Sequence, residues 1–538
     1  MTGQNGRLSV GDPVETSVGV STGDGSAAAA RGTWTFPLVL TAVFFVVALV
    51  NVLTHEMWSD ELDAWLVARD ADGLADMFHN LRYEGHPGLW HLGLYAITRF
   101  ALPPEAMQVY HVLIAAAAVF VFARWSPFTR LVKTLFVFGY FPLYEYATVS
   151  RNYALGVLFL FVFCALAAPG RRKNYVLLAI PLFLMAQANA YALLVAGSLA
   201  GMLIVEAWCD RDVRASLAAR KVHLVAAVVI FLAGAGLSAY QILPPADSDC
   251  YAFWRTGFYP GAAARVAASA WYAYVPIPQL TTRFWNTNIV PSLAVQGVLG
   301  VMLLVAGAWL FRRPRPVLFL YLCFATAMMS LQYLKFFGGM RHLGHLFLVF
   351  VACLWLTLRA GKQETSEDPS SRRDNATWTR TRFAGGALIV FFGMHMAVGL
   401  TASAIDWFCA FSPGKDAAEY IHAQGLLDTS ILAGCERNRM CPIVGYLNTR
   451  YFSPYGCRWG SFPIYTTAAK FDLDRFYRRL AEMQTAQQKD VLLVLTPGES
   501  APPHYEKIAD FPPTILPDGE HYILYLLRYK PPDNTPSP

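Results

Sequence analysis

Two adjacent carboxylates, Asp60 and Glu61, stand in the segment Trp58-Ser-Asp-Glu-Leu-Asp-Ala-Trp65, directly after the first long apolar stretch of the chain, 36–53. Ionisable groups at the edge of a bilayer cost free energy unless they are solvated, paired or used. Tyr83-Glu-Gly-His-Pro-Gly-Leu-Trp90 follows, then Ser150-Arg-Asn-Tyr153 and Gly338-Gly-Met-Arg-His342. An acid near several cations suits transfer of a group away from a lipid phosphate. The acid deprotonates an acceptor hydroxyl. The cations hold the leaving phosphate, with arginine giving bidentate geometry.

The elements that position these residues are membrane helices. The 538 residues are 55% hydrophobic and 15% charged, where a soluble domain carries about 25% charge. Long uncharged runs make the chain a polytopic membrane protein. The net charge of +6 is modest and gathers in short loops, so it reports topology and implies no nucleic-acid partner. Residues 1–33 are polar and rich in Gly, Ser and Ala, and read as a disordered cytoplasmic tail. No small-residue cleavage site follows the first apolar stretch, which reads as an uncleaved span.

Segments suited to spanning lie near 36–53, 106–123, 134–150, 152–169, 175–189, 190–208, 222–241, 292–311, 316–334, 342–359 and 383–403, eleven in all. Basic loops hold Arg124, Arg130 and Lys133, then Arg171-Arg-Lys173, then Arg211, Arg214, Arg220 and Lys221, then Arg312, Arg313 and Arg315, then the stretch 359–382 with six basic residues. The positive-inside rule places these in the cytoplasm. The alternating loops 54–105, 145–151, 242–291 and 335–341 then face outward. This parity requires 87–101, interrupted by His91 and Arg99, to be an interfacial or re-entrant helix. The N-terminus is then inside and the C-terminus outside.

Residues 404–538 lose the long apolar runs. Helical patterns at Asp416–Gln424 and Phe471–Gln484 alternate with strand patterns at Ser430–Gly434, Val491–Thr496 and Tyr522–Arg528, which predicts a small α/β domain outside the membrane. Cys409, Cys435, Cys441 and Cys457 fall in it, and their density predicts at least one disulfide. Cys164, Cys209, Cys323 and Cys353 lie in or beside spans and read as packing residues.

Three things in order resemble the GT-C glycosyltransferases: Asp-Glu at the start of the first outer loop, a His-Pro segment before a short apolar helix, and Arg-x-Tyr at the outer end of a later span. The branch is the one using polyprenyl-phosphate sugars, which includes protein O-mannosyltransferases and the lipid A aminoarabinose transferase. The resemblance covers about 34–360, so 34–403 is expected to be the GT-C-like transmembrane catalytic domain with outer loop 54–105, and 404–538 the extracytoplasmic domain. It implies a base at Asp60 with Glu61 beside it. It also implies donor-phosphate contacts from His86 and Arg151, with Tyr153, Arg341 and His342 as further substrate-binding residues. The family's second proline after this position is Gly88 here. The expected partners are the bilayer, a polyprenyl-phosphate sugar donor, and an acceptor glycan, lipid or protein. The expected location is a bacterial cytoplasmic (inner) membrane. No cofactor is implied; a divalent ion between Asp60 and Glu61 is the metal site left open.

Each residue also has a structural reading. Asp60 caps a helix starting near Leu62; Glu61 and Asp63 are solvated or support the base; His86 precedes a helix-starting proline; Arg151 snorkels to headgroups; Arg341 and His342 serve as anchors. Trp271-Tyr-Ala-Tyr274 and Phe284-Trp285 read as an interface belt rather than a sugar platform. The rival functions are a transporter or lipid flippase, whose charges belong at the midplane of repeated halves, and a membrane scaffold presenting the tail.

Overall fold

The computed structural model describes residues 23–167, 173–249, 255, 257–367, 375–434, 437–516 and 520–531. Arg171, Arg172, Cys435 and most of the tail read as disordered (1–22) lie outside them. The first helix, α1, runs Gly23–Thr54 and so begins ten residues before the expected boundary at 33.

A cluster of short helices follows it: α2 (Ser59–Asp70), α3 (Leu74–Glu84) and α4 (Leu89–Thr98). The bundle continues with α5 (Glu105–Trp125), α6 (Arg130–Val137), a π-helical segment (Tyr140–Thr148), α7 (Tyr153–Leu166), α8 (Tyr175–Ala186) and α9 (Ala190–Cys209). Then come α10 (Arg211–Ala219), α11 (Lys221–Ile242), α12 (Pro260–Tyr274), α13 (Leu293–Leu310), α14 (Arg315–Leu334), α15 (Met340–Glu367) and α16 (Asn375–Phe408). Among the described residues eight helices are long and apolar enough to cross a membrane, within α1, α5, α9, α11, α13, α14, α15 and α16. The chain is a multi-pass membrane protein. Of the other three expected spans, two are the shorter apolar helices α7 and α8.

The third, 134–150, is broken. Pro142 lacks an N–H and cannot continue an ordinary helix from α6, so the chain resumes after Gly139 as the π-helical segment. Gly399 on α16 accommodates the break, because a Cβ there would stand 2.7 Å from the Phe138 carbonyl. The segment 87–101 forms α4, too short to span.

The bundle has two chemically different ends. At one, the Arg124 guanidinium lies 4.5 Å from the Trp34 ring and Arg359 donates to the carbonyls of Cys164 and Trp125 at 2.8 and 3.1 Å. At the other, the far ends of α1 and α15 and the residues leading into α7 bring His55, Arg341 and Arg151 beside α2.

The tail adds α17 (Gly414–Ala423), α18 (Leu426–Thr429), β1 (Ser430–Gly434), α19 (Cys441–Tyr446), β2 (Tyr451–Ser453), β3 (Arg458–Gly460), α20 (Leu473–Gln487), β4 (Asp490–Leu495), β5 (Glu506–Phe511) and β6 (Tyr522–Leu527). The sheet order is β3-β2-β1-β4-β6-β5. β1 is parallel to β2 and β4, with Ala433 beside Leu493, and the remaining pairs are antiparallel. Side chains alternate across a strand. Val491, Leu493 and Leu495 of β4 therefore pack under α20 with Phe476 and Leu480. Leu492 and Val494 join the large core that continues into the bundle. The sheet is seated on the membrane part through its second apolar face.

Among the described residues the expected disulfide is not formed: Cys409, Cys441 and Cys457 are free. Close cysteine spacing in sequence did not bring sulfur atoms together. Cys441 Sγ lies 3.9 Å from Asp63 Oδ1 and from the Ser461 carbonyl, and Cys457 Sγ lies 3.8 Å from the Asp472 carbonyl. The aromatic belt is also absent from 284–285, since Phe284 and Trp285 are buried. Alkylation of unreduced, denatured protein should label Cys409, Cys441 and Cys457; a mass that retains any of them in a disulfide would contradict this.

Candidate active site at the sheet-facing end of the bundle

Asp60 occupies the first turn of α2 and keeps 27% of its side chain exposed. Its Oδ2 accepts from Arg341 Nη2 at 2.6 Å. That charge-assisted bond joins α2 to the first turn of α15. The Arg341 guanidinium also lies 5.0 and 5.4 Å from the rings of Trp58 and Trp285, which fix its plane by cation–π contact. Arg151 Nη1 donates to the Asp60 backbone carbonyl, and its Nη2 lies 3.5 Å from His86 Nε2.

The chain places His86 by ending α3 at Gly85, which takes the left-handed conformation at φ 70° and returns its N–H to the Leu81 carbonyl at 3.1 Å. Burial, then the neighbouring Arg151 charge, pushes the His86 pKa down to about 4. His86 is therefore neutral, and its Nε2 faces the arginine as an acceptor.

Glu61 faces the opposite way from Asp60. It is fully buried and accepts from Ser150 N–H at 2.5 Å, Trp58 N–H at 3.3 Å and His55 Nε2 at 3.0 Å. His55 Nδ1 in turn lies 2.8 Å from Asp406 Oδ2 on α16. Burial opposes the His55 charge, but the Asp406 and Glu61 carboxylates outweigh it and push the pKa up to about 10. His55 is thus a buried cation between two anions. Glu61 is neither solvated nor beside the Asp60 carboxylate: it holds Ser150, and with it Arg151, against α2. The two carboxylates do not converge on one point. Among the described residues no group of three or more His, Cys, Asp or Glu is arranged to hold a metal ion.

Tyr153 and His342 form a pair behind Arg341. Both are buried, and Tyr153 Oη lies 2.8 Å from His342 Nε2 while Gly339 N–H donates to His342 Nδ1 at 2.8 Å. Nδ1 is an acceptor, so Nε2 carries the proton and donates to the tyrosine. With both nitrogens occupied, His342 supports the start of α15, and its partner Tyr153 also hydrogen-bonds Arg341.

The structure brings together Asp60, His86, Arg151 and Arg341, and adds Asp63 and Glu84. Burial first, then the Asp60 charge, pushes the Asp63 pKa up to about 7 against the pull of Arg151. Burial and the Asp63 charge push Glu84 well above the ordinary range. Asp63 lies three residues after Asp60, a spacing that shares a helix face, and that was the signal for it. Around this group Arg151 Nε, Arg341 Nε, His86 Nδ1 and Glu84 Oε1 are buried without a hydrogen-bond partner. Each such atom costs about 1–3 kcal/mol until a partner meets it.

No family model matches the chain, and no curated protein matches its sequence. Solved structures do. ArnT from Cupriavidus metallidurans bound to undecaprenyl phosphate superposes with TM-score 0.52 at 14% identity, covering 91% of this chain and 97% of that one. The apo form of the same protein gives TM-score 0.53 at 14% identity, covering 93% and 98%. The likeness establishes the fold. The expected GT-C-like architecture, a helical membrane domain followed by a small α/β unit, is the one present.

His55→Ala should leave Glu61 and Asp406 buried without their shared cation and cost about 3–5 kcal/mol. The sign with pH follows from the raised pKa of about 10 against about 6.5 unfolded. The His55 contribution is full below about 6.5 and is lost as pH rises through about 10. The unfolding midpoint in detergent should therefore fall for the wild type between pH 7 and 10, and the variant should start lower and lack that slope. Equal slopes would contradict the assignment.

Proposed function

We propose that the chain is an integral membrane glycosyltransferase that moves a sugar from a polyprenyl-phosphate donor to an acceptor hydroxyl. The observation that carries this reading is the convergence of one partly exposed carboxylate, Asp60, with Arg151, Arg341 and neutral His86 at one end of the bundle. The similar ArnT structure binds undecaprenyl phosphate, which supports a lipid phosphate as the ligand of these cations. The basic residues Arg124 and Arg359 gather at the opposite end. By the positive-inside rule that end is cytoplasmic, so the site and the sheet domain face outward.

In the proposed reaction Asp60 accepts the acceptor's hydroxyl proton as its oxygen attacks the anomeric carbon. The bond from that carbon to the phosphate oxygen breaks, and the lipid phosphate leaves with the electron pair. A single displacement with one base inverts the anomeric carbon. Arg341 has two roles. Before the donor arrives, its 2.6 Å bond holds the Asp60 carboxyl in place. When phosphate competes for the guanidinium, the carboxylate is released beside the acceptor as the cation moves to the leaving group. Arg151 stays on the Asp60 carbonyl with one amino group and offers the rest of its fork to the phosphate. A transporter reading needs its charges at the midplane, whereas these stand at helix ends.

The test is a transfer assay with a panel of polyprenyl-phosphate sugars, in which the wild type should release polyprenyl phosphate with at least one. Asp60→Asn should lower turnover by roughly 10²–10⁴-fold, the share of a general base, while keeping donor affinity. Arg151→Ala should weaken both donor binding and turnover, because phosphate is present in ground and transition states alike. Near-normal turnover in correctly inserted Asp60→Asn protein would remove Asp60 as the base.

A further inference from the structure

Ser59 opens α2 one residue before Asp60. Its backbone N–H donates to Glu520 Oε1 at 2.6 Å, and its hydroxyl donates to the same oxygen. The other oxygen of Glu520 accepts from the Ser412 hydroxyl, and Ser412 Oγ accepts the Gly414 N–H at 3.1 Å. Glu520 is 3% exposed. Burial pushes the Glu520 carboxyl above its ordinary range, and an acid so deeply buried is tolerated where hydrogen-bond partners surround it. One side chain therefore ties three parts of the chain: the first turn of α2, the segment leaving the last span, and the approach to β6.

The first turn of α2 has two anchors. On the bundle side Glu61 binds Ser150 and His55; on the sheet side Glu520 binds Ser59. Asp60 lies between the anchored residues, and its carboxylate must meet Arg341, which α15 carries independently of both. Loss of either anchor lets the helix start shift relative to α15. Other sheet-domain contacts flank this turn: Tyr446 Oη accepts the Met57 N–H at 2.8 Å ahead of it, and Cys441 Sγ lies 3.9 Å from Asp63 Oδ1 after it, whereas the contact to Ser59 itself comes from Glu520.

We propose that Glu520 is a positioning residue for the reaction: by holding Ser59 it sets where Asp60 stands relative to Arg151 and Arg341, so the sheet domain is part of the catalytic apparatus. This rests on the transfer reading above. A misplacement of about 1 Å costs roughly 10²-fold in rate, so the effect belongs in kcat and not in donor binding.

The experiment compares wild type, Glu520→Ala, Glu520→Gln and, as a surface control on α20, Arg479→Ala, whose ion pair with Glu482 is exposed. Each full-length protein is assayed for kcat, donor KM, polyprenyl-phosphate affinity and folded fraction by thermal unfolding. Glu520→Ala should lose about 10²-fold in kcat per folded molecule, with KM and lipid affinity unchanged. Glu520→Gln keeps an acceptor for the Ser59 N–H and should recover most of that loss, and Arg479→Ala should match wild type. A kcat loss that only tracks the loss of folded protein overturns the proposal, as does full kcat in folded Glu520→Ala, or a change confined to KM. A wild type that transfers no sugar from any donor overturns the transfer reading itself, and is distinguishable because it precedes any comparison of variants.

Discussion

Glu61 takes two donors from its own stretch of chain, the Trp58 N–H at the start of α2 and the His55 ring just after α1, and a third from a distant segment, the Ser150 N–H ahead of α7. The cation on His55 makes this burial tolerable, and Asp406 on the last span balances that cation from its other side. Removing one member of such a set strands charge in a low dielectric, which is why buried pairs cost more to break than they contribute when whole. The consequence is geometric. Arg151 follows Ser150 directly, so the bond to Glu61 fixes the distance between the arginine and the Asp60 turn. The site is assembled from the inside out, with a buried ionic knot below and a partly exposed carboxylate above.

The electrostatics of the outer layer follow from that arrangement. Arg151 and Arg341 stand among Asp60, Asp63 and Glu84, and burial raises the last two. Raised carboxyls hold protons near neutral pH, which leaves the arginines less neutralised than a count of acids suggests. Such a balance suits a site that must attract an anionic headgroup. The sheet domain closes one side, seated through Leu492 and Val494 on the core shared with the bundle.

Much of this was legible in sequence, for stated reasons. Asp60, His86 and Arg151 each lie in a short motif at a span boundary, and loop parity put those boundaries at one end. Adjacent residues were harder. Successive side chains on a helix diverge by about 100°, so Glu61 turns inward while Asp60 faces the site, and His342 turns toward Tyr153 while Arg341 reaches Asp60. The five predicted tail elements lie within a few residues of α17, β1, α20, β4 and β6, because β4 and β6 are strongly apolar over short runs, whereas the short or polar α18, α19, β2, β3 and β5 gave no pattern. What sequence spacing could not supply was long-range contact. Nothing local in Glu520 points to Ser59, 461 positions away. The density of Cys409, Cys441 and Cys457 carried no information on where their sulfurs point. The broken span was readable in principle from Pro142, whose effect on the helix hydrophobicity alone conceals.

The role of the Asp60–Arg341 cluster is decided by where a lipid phosphate binds. The most direct measurement is a structure of the full-length protein in lipid with polyprenyl phosphate added. The phosphate should sit between Arg151 and Arg341, within hydrogen-bonding distance of both and beside His86, with the Asp60 carboxylate freed from Arg341. A phosphate bound instead among Arg124 and Arg359 at the opposite end of the bundle, with the Asp60–Arg341 bond intact, would contradict both the site and its sidedness.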